Sequence, residues 1–157
     1  MNRTSGVSVS FARDAAVATA VLAGLYGLGY GVQFQPLQLP TYLLVVGFDA
    51  LEVAFGSAGA GYDVLFAAYL VGLGVVAAGV ARVVRETSKA TDLAWWRLGA
   101  AAALALVGVI SLLFALFVLV SGVQFTPVLV AGGAGGALLG LSAWVGDVVR
   151  VAVRPTR

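Results

Sequence analysis

The nine Lys and Arg residues of this 157-residue chain fall into three clusters, and this distribution constrains the fold more than any other feature. None of them lies between Ala15 and Ala81 or between Leu98 and Val149. An ionised side chain costs about 2.5–3.5 kcal/mol at the centre of a bilayer. The long stretches without basic residues therefore predict helices that cross a membrane. The clusters contain Arg3 and Arg13; Arg82, Arg85, Lys89 and Arg97; and Arg150, Arg154 and Arg157.

The composition agrees with a membrane protein and excludes several kinds of site. The chain is 61% hydrophobic and 10% charged, whereas soluble domains contain about 45–50% apolar and about 25% charged residues. Cysteine and histidine are absent, which excludes disulfides, thiolate catalysis, Cys-ligated metals and the usual ligand of haem and copper. The net charge of +2 is too small to indicate nucleic acid as a partner. We therefore expect no cofactor, no metal and no catalytic residue, and a lipid bilayer as the main partner.

Four segments are long and apolar enough to cross the hydrocarbon, which takes about 20 helical residues. They lack the alternation of polar and apolar positions that a membrane barrel requires. The first segment is expected to be a retained helix and not a cleaved signal, because it is long and has no clear A-x-A site near its end. The predicted fold is an all-α membrane protein, a four-transmembrane-helix bundle forming one integral domain over residues 1–157. The predicted spans are residues 15–32, 63–81, 98–121 and 128–149.

The segment Leu37–Phe55 is apolar enough for a fifth span but carries two carboxylates. With four spans and the amino terminus inside, all nine basic residues and both termini lie on the cytoplasmic side. A fifth span places seven basic residues on one side of the membrane and two on the other. The positive-inside rule therefore favours four spans. We expect residues 33–62 to form an amphipathic outer segment between helices 1 and 2. Interfacial, re-entrant and spanning placements of Leu37–Phe55 all stay open.

The tryptophans and the acidic residues fit this topology at opposite surfaces. Trp95, Trp96 and Trp144 lie near basic residues and are interpreted as interfacial anchors on the cytoplasmic side. Asp49, Glu52 and Asp63 face outward in the four-span arrangement. In the structural interpretation, these carboxylates form the solvated face of an interfacial helix. The functional one is an acidic mouth that gathers cations for a pore.

An internal sequence echo indicates a duplicated helical hairpin. Residues 31–36 read GVQFQP and residues 122–127 read GVQFTP, so five of six positions match. Each copy follows an odd-numbered predicted span. The alternative is turn chemistry, because proline restricts the preceding residue and ends helices.

Glycines at helical spacing predict close contact between helices, because small residues let membrane helices approach. The strongest strip recurs at every fourth residue of the last span. Two alternatives stay open for it, packing within the bundle and packing against another copy. The glycines of the strip and of two shorter ones are Gly132, Gly136 and Gly140; Gly27 and Gly31; and Gly72 and Gly79.

No residue cluster in the sequence identifies a reaction. We expect a non-enzymatic multi-pass protein of the cell membrane or of a membrane envelope. Its expected role is that of a structural or accessory subunit of an assembly. It would form this assembly by self-association or with other membrane subunits. The alternative is a small cation channel or carrier whose extracytoplasmic mouth contains the three outer carboxylates. The residue usage, rich in Ala, Val, Gly and Arg, favours an archaeal or actinobacterial source.

Overall fold

The computed structural model describes residues 3–87, 94–122 and 125–147, and these residues form helices and connections without any strand. The all-α prediction is thereby confirmed. Lys89, Arg150, Arg154 and Arg157 of the basic clusters, Val123 and Gln124 of the second echo, and the end of the last predicted span lie outside the described residues. The helices are α1 Arg3–Gly31, α2 Gln35–Phe55, α3 Tyr62–Thr87, α4 Arg97–Ser121 and α5 Phe125–Val145, with a 3₁₀ turn at Gly59–Gly61.

Five of these helices are long and apolar enough to cross a membrane, which agrees with a membrane protein. The predicted count of four is not confirmed, because α2 also meets the criteria of length and composition. Four helices contain most of each predicted span: α1 begins well before the predicted start at Ala15, and α5 ends at Val145, before the predicted end at residue 149. The segment predicted to lie between helices 1 and 2 is itself a continuous helix for most of its length.

Local sequence explains where α2 begins and ends. Pro36 occupies its first turn, where a missing backbone N–H costs nothing. Gly56 follows its last residue with φ of 103°, and its N–H donates to the Glu52 carbonyl at 2.8 Å. Such a positive φ favours glycine, which has no Cβ to clash. The helix therefore stops at Phe55 and the chain turns toward α3.

Contacts between side chains fix the directions of α1 and α3. The Arg85 guanidinium near the end of α3 donates to the Asp14 carboxylate in the first half of α1. At the other end, the ring centroids of Tyr26 and Phe66 are 4.7 Å apart. The two helices are therefore antiparallel.

The helices α4 and α5 form the second antiparallel pair. Arg97 at the start of α4 donates to the Val145 carbonyl at the end of α5, and Ser111 donates to the Ala131 carbonyl nearer its start. Gly99 packs against the Asp14 backbone, which places the start of α4 beside the first half of α1. The starts of α1 and α4 and the ends of α3 and α5 therefore share one end of the bundle.

The helix α2 packs against the last part of α1 and the first part of α3. The Thr41 hydroxyl donates to the Leu25 and Tyr26 carbonyls at 2.9 Å each. The Phe48 ring lies 5.0 Å from the Tyr62 ring, at the start of α3. A six-residue connection reaches roughly 20 Å at most, so both ends of α2 stay near the end of α1 and the start of α3.

The centre of the bundle is filled by small and branched side chains. Alanines line the buried face of the first half of α4, and this lets neighbouring helices approach closely. Within the main apolar cluster, five side chains contributed by three helices are 0% exposed: Ala18, Leu22, Ala77, Ala103 and Val107. They belong to one apolar cluster that joins these helices to α2.

Candidate functional site

A buried ion pair joins α1 and α3 at the end of the bundle that we name the arginine end, defined by Arg13, Arg82, Arg85 and Arg97. The Asp14 side chain is 0% exposed, and Arg85 Nη2 donates to Asp14 Oδ2 at 2.7 Å. Asp14 Oδ1 is buried without a hydrogen-bond partner in the part of the chain that the structure describes. A charged group inside a membrane helix is expensive and tends to have a specific role. Asp14 is therefore the strongest single-residue candidate.

The other contacts at the arginine end fasten the helix termini to one another. The Arg13 guanidinium lies 5.4 Å from the centre of the Trp95 ring, a cation–π distance. Arg97 donates to the Val145 carbonyl at 2.7 Å and to the Trp144 carbonyl at 3.2 Å. These carbonyls lie in the last turn of α5, where the helix dipole attracts a cation, and the Trp144 carbonyl also accepts the Asp147 N–H at 3.2 Å.

The role of Asp14 was missed at the level of sequence because the first span was predicted to begin one residue later. In the structure α1 is helical from Arg3, so Asp14 lies well inside it. The sequence did contain an indication, because Asp14, Ala18 and Leu22 are spaced four residues apart. In the structure all three side chains are 0% exposed. A helical stripe of this kind places the carboxyl on the buried face.

The predicted tryptophan anchors lie together at the arginine end. Trp95 and Trp96 are 56% and 44% exposed and precede α4, and Trp144 is 63% exposed near the end of α5. Their common location is the one the sequence predicts, and their role at a lipid interface stays a prediction.

The three predicted mouth carboxylates lie at the opposite end, which we name the acidic end, defined by Asp49, Glu52 and Asp63. Asp49 and Asp63 are exposed. Glu52 is half-buried, and its Oε1 accepts the Ala58 N–H at 2.6 Å, which holds the connection between α2 and α3. The described residues contain no group of three or more acidic side chains that could hold a metal ion. The carboxylates share an end of the bundle without converging on one point.

A cluster of aromatic rings ties α2 to α1 and α3 at the acidic end. The Phe48 ring packs against Phe66 at 5.4 Å and Tyr69 at 5.6 Å, in addition to Tyr62. The Tyr26 and Tyr30 hydroxyl oxygens are 2.6 Å apart. Edge-on and tilted ring contacts of this kind add stability beyond the burial of apolar area.

The predicted glycine strips do not make the close helix contacts of the bundle. A Cβ built on Gly27, Gly31, Gly72, Gly79, Gly136 or Gly140 meets nothing within 4 Å, and one on Gly132 meets only the Ala115 Cβ at 3.9 Å. Of the two alternatives for the strip, these open positions favour contact with another chain, which stays a proposal. The glycines that do meet other helices closely are Gly29, Gly47, Gly74, Gly99, Gly108 and Gly135.

The two copies of the sequence echo lie at equivalent connections. The first joins α1 to α2, and the second, as far as it is described, follows α4 and begins α5. Gly122 has φ of 69° and caps α4, which is the turn role proposed for this motif. The duplication of a hairpin stays a prediction.

No family model, no curated protein and no solved structure gives a significant match to this chain.

Proposed function

We propose that this protein is a non-enzymatic multi-pass membrane protein that acts as a structural or accessory subunit of a membrane assembly. In this proposal α1, α3, α4 and α5 cross the bilayer, and α2 lies in its outer half or on its outer surface. Support comes from the contacts of α2 with α1 and α3 at the acidic end, where the Thr41 hydroxyl bonds to the Leu25 and Tyr26 carbonyls and the Phe48 ring packs on Tyr62. Because α1 and α3 are antiparallel, the chain between them leaves and returns at the same end.

The proposed orientation places the arginine end in the cytoplasm. The four basic side chains that the structure describes, Arg13, Arg82, Arg85 and Arg97, belong to this end. The acidic end has no Lys or Arg among its described residues. Cytoplasmic flanks of membrane helices are rich in Lys and Arg, so this separation supports cytoplasmic termini.

The orientation is testable by cysteine labelling because the native chain has no cysteine. Ser57 and Thr87 are exposed at opposite ends of α3. We expect a membrane-impermeant maleimide to label Ser57→Cys in intact cells and to label Thr87→Cys only after lysis. The reverse pattern would contradict the proposed topology.

The observation that carries the proposed role is the open surface of α5. This helix packs mainly on α4, and only Ala131 and Gly135 of its residues are buried. Its open strip of Gly132, Gly136 and Gly140 has little or nothing against it within the chain. In a bilayer, such a strip permits the close approach of a second helix. Association through α5 is therefore the function that the geometry supports best.

Replacing Gly136 with leucine tests this association. We expect Gly136→Leu to shift the protein from oligomer to monomer in nanodiscs or mild detergent, because the side chain would hold the two helices apart. The measurement is molar mass by light scattering, together with crosslinking in native membranes. Gly24→Leu is the matched control, since Gly24 is also open but lies on α1. A wild-type protein that is monomeric, or equal behaviour of both variants, would refute the proposal.

The packing gives less support to a pore through a single chain. The buried residues of the core cluster are all apolar, and the fully buried Ser111 hydroxyl is already bonded to the Ala131 carbonyl at 2.7 Å. Glu52 already holds the connection between α2 and α3. These observations favour the associating protein over the channel.

A further inference from the structure

An open groove of about 510 Å³ lies between the second half of α2 and the first half of α3. Its volume is within the range of about 300–1,000 Å³ that is common for small-molecule sites. The walls are almost wholly apolar and include three aromatic rings. The main wall residues are Phe48, Leu51, Phe55, Leu65, Tyr69 and Leu73.

Two glycines in the walls of the groove account for its shape. A Cβ on Gly47 would lie 2.6 Å from the Tyr69 hydroxyl oxygen, so α2 and α3 approach closely there because Gly47 has no side chain. Gly72, one turn further along α3, has open space around it. The residues of α2 and α3 therefore build this space, and a larger side chain at position 72 would enter it.

Glu52 brings one negative charge to this apolar groove. Its described partners are neutral, the Ala58 N–H at 2.6 Å and the Ser57 hydroxyl at 3.4 Å. No basic residue occurs between Ala15 and Ala81, and Asp49 and Asp63 add negative charge at the same end. A carboxylate beside low-dielectric walls produces a local potential that attracts cations.

We propose that this groove binds a lipophilic cation, a molecule with a large apolar body and a quaternary or delocalised positive charge. The apolar walls match the body of such a ligand. Phe48 and Tyr69 contribute aromatic rings, which attract cations that have no N–H donors. A small hydrated metal ion fits poorly, since it needs about six oxygen ligands and Glu52 is the only carboxylate in the lining.

Tetraphenylphosphonium is a suitable probe, with binding to the purified 157-residue chain in nanodiscs measured by equilibrium dialysis. We expect saturable binding that Glu52→Gln weakens at least about tenfold, because the variant loses the attraction between charges in a poorly screened site. Glutamine keeps an oxygen for the Ala58 N–H. Asp63→Asn is the matched control, because it removes the same charge outside the groove, and its effect should stay below about threefold.

Gly72→Leu tests the location independently of charge. We expect it to abolish saturable binding while the helix content and elution volume stay unchanged, because its side chain enters open space. Neutral triphenylphosphine oxide, which has similar rings, should not compete with the probe. Wild-type affinity in either Glu52→Gln or Gly72→Leu would overturn the proposal, and so would an absence of saturable binding to the native protein.

Discussion

Gly135→Leu is expected to separate α5 from α4 and to destabilise the bundle more than any other single change considered for this protein. A Cβ at Gly135 would lie 2.9 Å from the Gly108 carbonyl oxygen and 3.0 Å from atoms of Leu112. The Gly108 oxygen belongs to the backbone of α4, so it cannot rotate away as a side chain can. We expect a cost at or above the upper end of the about 1–3 kcal/mol that is usual for overpacking.

The adjacent glycine supplies a close control for this prediction. Gly136 is open, so Gly136→Leu should leave the unfolding of the single chain almost unchanged while weakening its association. The free energy of unfolding is measured by titration with sodium dodecyl sulfate in mixed micelles, at a protein concentration where the native chain is monomeric. Equal destabilisation by the two leucines would contradict the packing of α5 on α4 through Gly135.

Arg85→Met is expected to lower the free energy of unfolding by about 3 kcal/mol. The variant leaves the fully buried Asp14 carboxylate without its cation, while methionine keeps much of the apolar contact of the arginine stem. Removal of one partner from a buried pair costs about 3–5 kcal/mol. We expect the lower end of that range because the Arg85 side chain is 30% exposed and water screens part of the interaction.

Arg82→Met is the matched control, one helical turn away on α3. Arg82 pairs with Glu86 at 2.8 Å, but the two side chains are 52% and 62% exposed. Such surface pairs contribute about 0.2–1 kcal/mol. Adding Asp14→Asn to Arg85→Met should recover part of the loss, because it removes the uncompensated charge. Similar losses for Arg82→Met and Arg85→Met, or no recovery in the double variant, would exclude a special role for the buried pair.

The sequence predicted the helices well because their limits depend on local chemistry. Pro36 lies in the first turn of α2, and Gly56 and Gly122 follow the last residues of α2 and α4. Long apolar runs lie between these positions. The grouping of basic residues also anticipated that Arg13, Arg85 and Arg97 would meet at one end. The helix limits and the grouping of basic residues can both be read along the sequence without knowing which helices are in contact.

The sequence did not reveal which face of each helix packs inward. Gly132, Gly136 and Gly140 form the more regular strip, yet the contact with α4 is made by Gly135. In a chain that is apolar on nearly every face, hydrophobicity does not distinguish a surface that faces lipid from one that faces protein. The apolar and polar residues of α5 show almost no helical periodicity. The rotation of the helix about its own axis therefore follows from the fit between neighbouring backbones.

The sequence by itself determined that this chain is helical, apolar enough for a membrane and polarised in charge, because these properties are sums over local residues. Tertiary structure alone decided that Asp14 is buried against Arg85, that α2 turns back at the acidic end, and that the regular glycine strip stays open. These outcomes depend on distances between residues far apart in the chain, such as the 71 positions that separate the two partners of the ion pair. The physical reason is that a close contact between two backbones, or a pair of opposite charges, depends on how two helices are placed relative to each other and not on the sequence of either helix alone.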